Sequence, residues 1–74
     1  MMDIINYKEL DRKSLIKYLE DNRGIVKVQD LMDNSGANPL RVFPLLFELT
    51  REGVIEVLEE DNLGAPEKIR LLKA

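Results

Sequence analysis

The hydrophobic period of this chain changes at Gly53, and no other feature limits its fold as much. Before that glycine, Val42, Leu45, Leu46 and Leu49 recur at the three-and-four spacing that lines one face of a helix. After it, Val54-Ile55-Glu56-Val57-Leu58-Glu59 is rich in β-branched residues and roughly alternates, as a half-buried strand does. A helix and a strand joined by one residue must bury their apolar sides together, so the expected class is α+β. At 74 residues the chain has room for a single domain, 1–74, and residues 1–10 read as an N-terminal extension because their apolar side chains follow no clean period.

The remaining elements follow from local patterns. Leu15, Tyr18, Leu19 and Asn22 fall at i, i+3, i+4 and i+7, with Ile16 beside them. That spacing predicts a first helix ending near Arg23, with Asp11 as a candidate N-cap, a start as early as Tyr7 as the alternative, and Gly24 as the residue after the cap. Ile25-Val26-Lys27-Val28 predicts a stub of strand, and Gln29–Asp33 a short helix with Val28, Leu31 and Met32 on one side. Asn34-Ser35-Gly36 is a turn cluster. Asn38-Pro39 then restarts a helix, with asparagine as N-cap and proline at the first position, where its missing N–H costs nothing. Pro44 lies within that helix and removes a bond to the Leu40 carbonyl, which predicts a bend or a tightened first turn. Residues 66–74 are open to two readings: the second strand of a hairpin, or a terminal helix built from good helix formers. The hairpin is favoured, because two strands pair across one turn whereas a short helix needs its own packing face.

Composition narrows function mainly by exclusion. There is no cysteine and no histidine, which removes disulfides, thiolate nucleophiles, sulfur-bearing zinc sites, the commonest general base and the commonest metal ligand. The glycines stand singly, so no glycine-rich phosphate loop is present. These absences point away from an enzyme, a metal site or a cofactor. Hydrophobic residues make up 45% and charged residues 34% of the chain, the balance of a soluble globular fold. No apolar run approaches the roughly 20 residues of a membrane span, and Met1–Ile5 is too short for a secretory signal, so the expected compartment is the cytoplasm.

Helix, strand stub, short helix, turn, longer helix and hairpin, in that order, resemble the winged helix-turn-helix superfamily over roughly residues 11–71. Two stretches carry the resemblance. Val28-Gln29-Asp30-Leu31-Met32-Asp33-Asn34-Ser35-Gly36-Ala37-Asn38 is similar to the family's first motif helix and turn. Leu46-Phe47-Glu48-Leu49-Thr50-Arg51-Glu52-Gly53-Val54-Ile55-Glu56 is similar to the end of its recognition helix leading into the wing. The resemblance implies three helices with a C-terminal β-hairpin wing, and a small dimeric DNA-binding protein of the transcription-regulator type. Asn38, Arg41 and Arg51 would then lie nearest double-stranded DNA, with Lys68 and Arg70 touching its backbone.

The charges argue against a strong grip on DNA, which depends on Lys and Arg at phosphates. The predicted recognition helix carries Arg41 and Arg51 against Glu48 and Glu52, and residues 56–67 carry five carboxylates and no cation. The whole chain has a net charge of −3. On the same helix Leu40, Phe43, Pro44 and Phe47 form a second apolar stripe beside the core face. Either the N-terminal segment covers them as extra core, or they form a protein interface. A short chain without disulfide or metal also gains stability by oligomerising, so the second reading is a protein-association module, expected as a homodimer through Phe43, Phe47 or Met1–Ile5.

Overall fold

The computed structural model describes residues 6–72. In chain order it contains α1 (Tyr7–Asp21), β1 (Ile25–Lys27), α2 (Val28–Asn34), α3 (Pro39–Arg51), β2 (Ile55–Glu60) and β3 (Pro66–Leu71). This is an α+β arrangement of three helices and one three-stranded antiparallel sheet, ordered β1-β3-β2.

Helix α1 starts earlier than Asp11. The Asn6 side chain accepts from the Glu9 N–H and caps the helix, so Tyr7–Leu10 belong to its first turn and not to an extension. Asp11 is instead a buried residue of the helix body. At the other end the Arg23 N–H reaches the Glu20 carbonyl, and the Gly24 N–H reaches that of Leu19 at 2.7 Å. These paired bonds are a Schellman ending. The residue directly after the cap is Arg23, at φ 65°, and glycine follows one place later than the sequence pattern predicts.

Helix α3 matches its sequence signals closely. Asn38 Oδ1 accepts from the Leu40 N–H at 2.9 Å, and Pro39 opens the helix. The Arg41 N–H bonds to the Asn38 carbonyl at 2.8 Å, three residues back, so the first turn is tightened ahead of Pro44 and the helix continues through it. Gly53, at φ 76°, ends the helix with a second Schellman pair, Gly53 to Thr50 and Val54 to Leu49. The left-handed conformation turns the chain directly into β2, which is why the hydrophobic period switches there.

Residues 66–71 are strand, and β3 is the central one. It pairs Val57↔Ile69 with β2 and Val26↔Ile69 with β1. A terminal helix would leave both partners unpaired. Pro66 stands first in the strand, where its missing N–H is tolerated. Residues 73–74 of the segment lie outside the described residues.

The core is aliphatic. Leu15 and Leu19 from α1, Leu31 from α2, Val42, Leu45, Leu46 and Leu49 from α3, and Ile55 and Ile69 from the sheet are all essentially inaccessible and form one cluster. Leu46 and Leu49 thus share one core with Leu15, Leu19 and Leu31. Among the described residues no helix is long and apolar enough to cross a membrane.

Candidate functional site

Burying Val42, Leu45, Leu46 and Leu49 fixes what α3 shows to the outside. Leu40, Pro44, Phe47 and Arg51 lie four, three and four residues apart and share the outward face. Leu40 is 86% and Phe47 58% exposed. Phe43 departs from the expected stripe: it is half-buried against the core cluster beside Met32. The apolar stripe is therefore Leu40, Pro44 and Phe47, and it ends in a cation. Of the N-terminal segment weighed as its cover, residues 1–5 lie outside the described residues, and residues 6–10 leave Leu40 and Phe47 exposed.

The flank of α3 that faces α1 is held by ion pairs. Lys8 Nζ meets Glu48 Oε1 at 2.7 Å. Arg12 grips Glu52 with both terminal nitrogens, at 2.6 and 3.1 Å. That fork holds the Glu52 carboxyl below the usual carboxylate range, chiefly through its hydrogen bonds, while burial opposes the shift; the Arg12 guanidinium is raised for the same reason. Arg41 Nη1 donates to Asp11 Oδ2 at 3.1 Å, and its guanidinium lies 5.7 Å from the Tyr7 ring centre. Arg41 is thus tied to α1, and Asn38 is occupied in capping α3.

The sheet neutralises the other two expected phosphate contacts. Arg70 pairs with Glu56, and Lys68 Nζ lies 3.5 Å from Glu59 Oε2. The second pair depends on an irregularity. The register runs Val57↔Ile69 and then Glu59↔Lys68, leaving Leu58 as an extra residue on β2 and bringing a carboxylate opposite the ammonium. Asp61 turns into the hairpin loop, where Oδ1 accepts from the N–H groups of Leu63 and Ala65. Of the five cationic or polar residues marked for DNA, Asn38, Arg41, Arg51, Lys68 and Arg70, only Arg51 has neither an ion pair nor a capping bond among the described residues.

Next to α3 an open groove of about 290 Å³ separates α2 from the hairpin loop. Val28, Met32, Phe43, Ala65 and Pro66 give it an apolar lining, and Lys27, Gln29, Asp61 and Glu67 supply its polar groups. The sequence patterns place Met32 on the apolar side of the short helix and Glu67 among the carboxylates of residues 56–67, but assign neither these two nor Lys27 to a groove. No local pattern would have done so, because the groove joins three separate stretches of chain. Among the described residues no group of three or more carboxylates is gathered as a metal ion would require. Comparison with protein-family models, with curated proteins and with solved structures finds no match to this chain.

Proposed function

We propose that this chain is a winged-helix protein whose third helix contacts protein rather than DNA. The observation that carries the reading is the exposed Leu40-Pro44-Phe47 stripe, on the helix face that a DNA reader would fill with polar and basic side chains. A contiguous apolar patch with a charged end is the composition of an association surface. The charge map supports the same reading, since Arg41, Lys68 and Arg70 each have a carboxylate partner within the chain. Of the cations expected at phosphates, Arg41, Lys68 and Arg70 would have to break those pairs to reach them, and Arg51 alone would not.

A second reading, a DNA-binding transcription regulator, is favoured by one feature. Helices α2 and α3 are joined by four residues, 35–38, the helix-turn-helix spacing. Titrating labelled random duplex at about 50 and about 200 mM salt separates the two, because the salt slope counts phosphate contacts. Weak binding with a shallow slope is the expected result. Tight binding that collapses across this range would favour the DNA reading and overturn the first.

A further inference from the structure

The same chain carries both halves of a contact. Phe47 and Arg51 lie one helical turn apart on the exposed side of α3: an aromatic anchor followed by a cation without an ion pair among the described residues. The groove beside the first half of α3 has an apolar lining, and two carboxylates, Asp61 and Glu67, against one ammonium, Lys27. Its apolar lining suits an aromatic side chain, and its surplus of negative charge suits a neighbouring guanidinium. Resting on the reading of α3 as a protein-contact helix, the geometry points to a second copy of this chain as the occupant. Each copy's Phe47 enters the other's groove, and each Arg51 meets the other's Glu67.

Symmetry allows both contacts at once. In a two-fold dimer the patch is self-complementary, so antiparallel α3 helices set the second half of one across the first half of the other. Phe43 lines the groove and belongs to that first half, one turn before Phe47. The twice-repeated anchor and charge pair give the contact a defined register, which an apolar stripe alone would lack. Of the two carboxylates Glu67 is the one free to respond. Asp61 already accepts two backbone N–H groups that shape the loop.

A charge exchange tests this directly. The variants Arg51→Glu and Glu67→Arg alter exposed residues outside the core. Both should keep the wild-type circular dichroism spectrum, and each alone should self-associate about tenfold or more weakly, as like charges replace opposite ones at both symmetric contacts. Mixed in equal amounts, they form a heterodimer in which both contacts are again opposite in sign, and sedimentation should show association restored. Phe47→Ser should abolish self-association whatever the charges. A wild-type chain that stays monomeric at millimolar concentration overturns the second-copy inference, as does a mixture that fails to associate better than its components. The reading of α3 as a protein contact fails on a different result, the tight, salt-steep duplex binding described above.

Discussion

Arg41 shows how one partner redirects a side chain that sequence position alone assigns elsewhere. Its guanidinium satisfies Asp11, which is only 9% exposed, and a carboxylate so placed without a cation is costly. Arg41→Gln should therefore lower stability by about 1–3 kcal/mol, as an acceptor left with a weaker donor does, and chemical denaturation will measure it. Leu49 is fully buried at the centre of the core, and Leu49→Ala should cost about 2–5 kcal/mol by the same assay, a large part of a small domain's stability. The opposite sign is expected at Arg23. A non-glycine residue at φ 65° is strained, and the end of α1 has room for glycine there, so Arg23→Gly should raise stability by about 0.5–1 kcal/mol after the added freedom of the unfolded chain is counted.

Between elements, α1 and α3 are joined by apolar packing beneath and ion pairs above. The Arg12–Glu52 fork gives this seam a dependence on pH. The folded-state Glu52 carboxyl titrates below the unfolded one. Its contribution is therefore complete above the ordinary carboxylate range and is lost as pH falls through the depressed value. Glu52→Gln should lower the melting temperature at neutral pH and approach the wild type at strongly acid pH, where both are uncharged at this position. The pair is solvent-accessible, so the effect will be small and will shrink with added salt. The sheet holds together differently. β3 is paired on both sides, and Ile69 faces the core from its middle, so one residue links β1, β2 and the helices.

For the molecule as a whole, the proposed self-association would be coupled to stability. A chain of 74 residues without cross-links has a thin margin, and anything that binds only the folded state raises it by mass action. The melting temperature of the wild type should rise with protein concentration, whereas that of Arg51→Glu should stay nearly constant. Calorimetry over a hundredfold concentration range checks both.

The helical stripe of Val42–Leu49, the Asn38-Pro39 start and the Gly53 switch were legible because each rests on short-range chemistry: spacing, a capping side chain and a residue that tolerates positive φ. The same locality made the three-helix, mixed α+β class readable. Which side chains remain available was not readable, since availability depends on partners distant in the chain. Asp11 reads locally as a cap and is instead the buried partner of Arg41, thirty residues away. Phe43 and Phe47 sit one turn apart in sequence, yet packing draws the first toward the core beside Met32 and leaves the second outside. Lys68 faces a carboxylate only because a bulge at Leu58 shifts the register. Sequence determined the elements because hydrogen bonding and turn chemistry act over a few residues. Tertiary structure decided which charges are spent, where the groove opens and which apolar face is left over, because those depend on how the elements pack.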